Sequence, residues 1–219
     1  MSFADGVVNS IERYKRGAYF SPDYLGNHSW DGFERNLLFE SMGNRRFTDV
    51  ARAAGVDEIK DSRAVAVADL NKDGRLDLVI QNNHETPTFY LNRSSEQGHF
   101  VQVKLVGSGE VNRDAVGTRV QIVCADDNGN LNRLNRWVEA GNGHASQSPL
   151  SLHFGLGSSG KPVSMEVFWT DGSSNRIEED LDQMIDRTIS IEKKGTQIAM
   201  QIDGDERIKV ASLDKGKQQ

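Results

Sequence analysis

The chain has 219 residues, with 26 Lys and Arg against 32 Asp and Glu for a net charge of −6, and 37% hydrophobic residues. That length can bury a core, while no apolar run reaches the roughly 18–20 residues of a membrane-crossing helix. The mild acidity argues against a phosphate-backbone binder, so no nucleic-acid partner and no membrane span are expected. The 21 glycines against 4 prolines suit a β-rich chain with many tight turns.

Phe3, Val7, Val8, Ile11 and Tyr14 recur at helical spacing and predict a short amphipathic helix over residues 3–16. Residues 17–35 carry Tyr19, Phe20, Tyr24, Trp30 and Phe33 among glycines, which reads as an ordered loop covering an open core. No basic stretch followed by an apolar one stands at the N-terminus, so a cytoplasmic chain is expected, or a secreted one if that end is trimmed.

From Asn36 the pattern is strand and turn. Leu37-Leu38-Phe39 leads through a turn at 42–45 to Phe47, then to a helical turn over 50–54 that Gly55 ends. Alternating or apolar runs predict strands at 64–68, 78–80, 100–106, 119–125, 150–154 and 163–169, with a hairpin at Asp126-Asp-Asn-Gly129 returning toward Trp137. Residues 197–202 and 207–211 flank another turn and read as a terminal hairpin. Strands at such intervals predict an antiparallel sandwich or barrel. The single cysteine, Cys124, lies in an alternating strand and is expected in the core, which excludes a disulfide framework.

One loop carries chemistry in its spacing. Asp69-x-Asn71-x-Asp73-Gly74-Arg75-x-Asp77 sets oxygen-bearing side chains at positions one, three, five and nine, with the Arg75 carbonyl at seven. Hard cations such as Ca²⁺ take six to eight oxygens, and this alternation aims them at one centre. Ile80 stands where an EF-hand needs a bidentate Glu, and the loop joins strands, so this is no EF-hand. The expected ligands are Asp69, Asn71, Asp73, Arg75 through its carbonyl, and Asp77. Gly74 permits the sharp turn.

These residues resemble a known unit. Asn36-Leu-Leu-Phe-Glu, Phe47-Thr-Asp-Val-Ala51 and Asp61-Ser-Arg-Ala-Val-Ala-Val-Ala-Asp-Leu-Asn-Lys-Asp-Gly-Arg-Leu-Asp-Leu-Val79 are similar to an FG-GAP/VCBS-type repeat. Farther on, Asn112-Arg-Asp-Ala-Val-Gly-Thr-Arg-Val120, Leu152-His-Phe-Gly-Leu-Gly157 and Trp169-Thr-Asp-Gly172 resemble the ASPIC/UnbV domain of a cartilage acidic protein-like family with bacterial members. The resemblance implies Ca²⁺ at the same five residues and no catalytic ones. A propeller needs about four blades, more than one such repeat supplies. The expected fold is therefore mainly β, a single FG-GAP-like hairpin packed on an antiparallel β-sandwich with a short N-terminal helix. The expected division is 1–35 (helix and aromatic loop), 36–98 (repeat), 99–192 (sandwich) and 193–219 (hairpin and tail).

Ser146, Ser148, His144, His153 and Asp171 offer the residue types of an activated nucleophile, but no G-x-S-x-G elbow is present. The resulting expectation is a calcium-stabilised, non-catalytic binding or scaffold protein for a protein or glycan partner, with a homodimer as the alternative to intramolecular packing. The competing reading, from family association alone, is an accessory enzyme of bacterial natural-product (enediyne-type) biosynthesis.

Overall fold

A computed structural model describes residues 34–95, 98–158 and 160–203. The expected helix over 3–16, the aromatic segment through Phe33, and residues 207–211 with the tail lie outside the described residues. The described chain divides into two compact units, 34–63 with Gln81–Pro87, and Ala64–Ile80 with 88–203.

In the first unit, β1 (Glu34–Arg35), β2 (Phe39–Ser41), β3 (Phe47–Asp49), the single turn α1 (Ala51–Ala54) and β4 (Ile59–Lys60) follow in order. β2 pairs with β3 across the expected turn, and β1 with β4. Asp49 Oδ1 accepts from the Ala51 and Leu38 N–H groups while Oδ2 takes Arg35. Gly55 ends α1 at φ 70°, where its N–H reaches the Ala51 and Arg52 carbonyls. Phe39 and Phe47 remain 59% and 65% exposed.

The strands β5 (Ser62–Ala68), β6 (Asp77–Asn82) and β7 (Thr88–Tyr90) form a three-stranded sheet in that order. The remainder of the second unit contains β8 (His99–Val106), β9 (Arg119–Ala125), β10 (Leu131–Trp137), β11 (Leu152–Gly157), β12 (Lys161–Phe168), β13 (Ser174–Ile177), a 3₁₀ turn (Leu181–Met184), β14 (Arg187–Lys194) and β15 (Gln197–Ile202). They build two four-stranded sheets, β10-β9-β12-β13 and β11-β8-β14-β15.

The alternation dictates which side chains go inside. Val101, Val103 and Leu105 of β8 point inward with Ile189 and Ile191 of β14, Phe154 of β11, and Ile122 and Cys124 of β9, and all join one hydrophobic cluster. Each fully buried Val, Ile or Phe contributes about 1.5–3 kcal/mol of transfer free energy. Cys124 sits in this core as expected, and burial raises its thiol pKa.

The architecture is mainly β, with one departure in detail. β14 pairs with β8 in parallel, so the second sheet is not antiparallel throughout. β15 pairs with β14 through the turn between Lys194 and Gln197, while residues 207–211, its expected partner, lie outside the described residues.

One inward position is a cation. Lys193 is 4% exposed, its ammonium 2.9 Å from Asp171 Oδ2, bonded to Ser173 Oγ and 5.2 Å from the Trp169 ring centroid. Trp169 in turn donates its Nε1–H to Asn175 Oδ1 at 2.7 Å. Burial raises the Asp171 pKa, but the Ser173 hydroxyl and the Lys193 ammonium outweigh it and hold the carboxyl below its ordinary 3.8. Removing one member of such a pair strands the other. Lys193→Met should cost about 3 kcal/mol in chemical denaturation. The folded pKa of Asp171 lies below the unfolded value, so its contribution is present above about pH 3.8 and fades as pH falls through the folded pKa. The variant should lose that acid-side slope.

Candidate functional site

The Asp69–Asp77 loop joins β5 to β6, and its own backbone closes it. Asp69 Oδ1 accepts from the Asp73 N–H at 3.1 Å and its Oδ2 from the Gly74 N–H at 2.9 Å. Asp73 Oδ1 accepts from the Arg75 N–H at 2.9 Å, while Oδ2 takes the Asn71 amide at 2.8 Å and the Arg75 guanidinium. Those contacts hold the Asp73 carboxyl below its ordinary range, the Arg75 N–H foremost, against a smaller opposing effect of desolvation. Asp77 is fully buried, its Oδ2 on the Leu70 N–H at 2.9 Å and Oδ1 on the Asn92 N–H at 2.8 Å.

The five expected residues thus share one short loop. Their donor set is all oxygen, the chemistry a hard cation selects. A carboxylate has about four lone-pair sites, so accepting one N–H at each oxygen leaves capacity at Asp69 and Asp77. Asp73 is the exception, since its Oδ2 already faces a cation. Among the described residues, no group of three or more His, Cys, Asp or Glu side chains is gathered closely enough to hold a metal ion. The donor chemistry suits a cation, and the Asp73 carboxylate is the one already paired with a guanidinium.

Two further residues shape the loop without a signal in its spacing. Asn92 meets the loop through its backbone, donating its N–H to Asp77 and accepting at its carbonyl from Arg75 Nε at 2.8 Å. Phe100, on the outward phase of β8, is the surface on which the loop rests. A Cβ added to Gly74 would lie 2.3 Å from Phe100 Cε1. His153, opposite Gln102 on β11, stacks on the same ring with centroids 5.5 Å apart and planes 11° apart. Burial lowers its pKa, helped by Arg136 and opposed by Asp69. The imidazole is therefore neutral at pH 7.

The nucleophile candidates hold separate positions in the structure. Ser146 Oγ donates to the Asn142 carbonyl, and Ser148 Oγ accepts the Val67 N–H at 3.1 Å, tying β5 to the 142–148 loop. Asp171 is bound to Lys193 and Ser173, His144 is exposed, and His153 lies on Phe100. Both serine hydroxyls are thus committed to backbone groups.

Residues 107–198 match the family described as ASPIC and UnbV, and residues 21–80 match the FG-GAP-like repeat. The chain is similar to cartilage acidic protein 1 of Mus musculus, 43% identical over 61 residues, which is 27% of this chain and 9% of that protein. The Xenopus tropicalis protein of that name is 44% identical over 48 residues, 22% of this chain and 7% of its own length. The Homo sapiens protein is 41% identical over 61 residues, 27% and 9% of the two chains. The matched segments therefore span less than a tenth of these relatives. FG-GAP-like and ASPIC/UnbV units suggest a non-catalytic binding module in general.

Gly74 meets two demands at once, a φ of +85° and the Phe100 ring, whereas Gly172 has φ +83° with nothing within 4 Å of its added Cβ. Gly172→Ala should cost only the left-handed backbone strain, about 1–2 kcal/mol. Gly74→Ala should cost measurably more in the same thermal or urea melts, because the loop must also lift from Phe100. Phe100→Ala in the Gly74→Ala background should recover that excess.

Proposed function

We propose that this chain is a non-catalytic binding or scaffold module whose Asp69–Asp77 loop is closed by a bound Ca²⁺. The observation supporting this most directly is the donor set, five residues at alternating positions that offer oxygen alone. Asp69, Asn71, Asp73 and Asp77 would supply side-chain oxygens and Arg75 its carbonyl. Bound there, the ion supplies charge neutralisation and a crosslink between the ends of β5 and β6. The chain's own contribution is preorganisation: five backbone N–H groups already orient the three carboxylates.

The Arg75 guanidinium occupies Asp73 Oδ2 as a built-in counter-charge. Calcium loading would have to displace it, which sets the affinity below that of a loop without a cation beside its third ligand. The seat of Gly74 on Phe100 then carries loop closure to the sandwich sheet. The partner in this reading is a protein or a glycan, bound by the protein surface and not by the ion.

Chelator-treated protein should melt at a higher temperature when millimolar CaCl₂ is added, because a ligand that binds only the folded state stabilises it by RT ln(1 + [L]/Kd). Asp73→Ala should abolish the rise. Arg75→Gln should bind calcium several-fold more tightly in calorimetric titration. No rise in demonstrably metal-free, folded wild-type protein would overturn the calcium reading.

A further inference from the structure

The outer face of the β10-β9-β12-β13 sheet is organised beyond what solubility requires. Because directly paired residues share a face, the registers align whole rows across it. Trp137 of β10, Arg119 of β9 and Phe168 of β12 form one row, and Asn135, Gln121 and Glu166 form the next. Neighbouring strands lie about 4.8 Å apart, so each row spans roughly 10 Å. Trp137 is 51% exposed.

Its polar members are held in place. The Arg119 guanidinium lies 3.9 Å from the Phe168 ring centroid, a cation–π contact that fixes its plane. Gln121 Nε2 donates to Asn135 Oδ1 at 3.0 Å, and Ser174 Oγ donates to Glu166 Oε1 at 3.1 Å. Planar amide, carboxylate and guanidinium groups beside a half-exposed indole form the combination that meets a polyhydroxylated ring, with apolar contact on its face and paired hydrogen bonds at its rim.

The charge narrows the ligand. Arg176 is paired with Glu178 at 2.7 Å, yet Arg119, Arg133 and Lys161 on this face still outnumber its carboxylate, Glu166. The whole chain carries −6. A locally basic sheet face on an acidic protein favours an anionic occupant. We propose that this face binds an acidic polysaccharide, a uronic-acid chain whose pyranose rings pack on Trp137 while its carboxylates meet Arg119, Arg133 and Lys161. This inference rests on reading the chain as a binding module, though not on the calcium loop.

Polygalacturonate is the probe, with dextran as its neutral counterpart and single-stranded poly-dT as a polyanion without pyranose rings. Calorimetry and tryptophan fluorescence follow each titration, and thermal melts with and without calcium are run on the same samples. Polygalacturonate should bind with a fluorescence change and weaken as salt rises. Trp137→Ala and Arg133→Gln, both at exposed positions, should keep the wild-type melt and each bind about tenfold more weakly or worse. Dextran and poly-dT should bind far more weakly. Unchanged affinity in Trp137→Ala, equal binding of poly-dT, or no binding of polygalacturonate would each overturn the inference. If binding is absent while calcium still raises the melt, only this inference fails. If binding persists without a calcium shift, only the calcium reading fails.

Discussion

Along a β-strand each inward side chain forces the next one outward, and this period of two governs everything described above. Burying Val101 and Val103 turns Phe100 and Gln102 to the opposite face of β8. Burying Val120 and Ile122 does the same for Arg119 and Gln121 of β9. The apolar interior and the outer faces of the two sheets are thus one pattern seen from two sides. A shift of one residue in β8 would expose its valines and also remove the ring on which Gly74 and His153 lie.

The loop illustrates how a protein tolerates clustered acids. Asp77 is wholly buried, and two backbone N–H groups meet its carboxylate. Such charge-assisted bonds are roughly twice as strong as neutral ones, and they hold the turn in one shape. Arg75 adds a positive charge while its own Nε is anchored to the Asn92 carbonyl. The same residues that could gather an ion are therefore already ordered by hydrogen bonds. The outer face of the other sheet follows the same logic, since Phe168 and Asn135 position Arg119 before anything approaches it.

Much of this was readable from the chain itself. The alternation located β8, β9, β11 and β12, and the acidic spacing located the loop between two strands. β13 and β14 were not visible. Ser174-Asn-Arg-Ile177 is mostly polar, and the alternation of β14 centres on only Ile189 and Ile191 before an inward lysine breaks it. A buried lysine with partners on a distant turn has no local signature. Nor does the seat of the loop: the outward phase of Phe100 is legible, but the sequence does not say which backbone will rest on it. His144, Ser146, Ser148, His153 and Asp171 make the converse case. Their residue types suggest a catalytic group, while Ser146, Ser148, His153 and Asp171 meet a backbone carbonyl, a backbone amide, a ring and a lysine.

The parallel pairing of β14 with β8 has a consequence for how the chain reaches this structure. Gln102 and Thr188 meet across 86 residues of sequence, and the strands between them belong mostly to the opposite sheet. Closing so long a loop is entropically unfavourable before the contacts it brings together can compensate, and folds dominated by non-local pairing reach the native state slowly. Until β14 is made, the edge of β8 with which it pairs has no strand beside it.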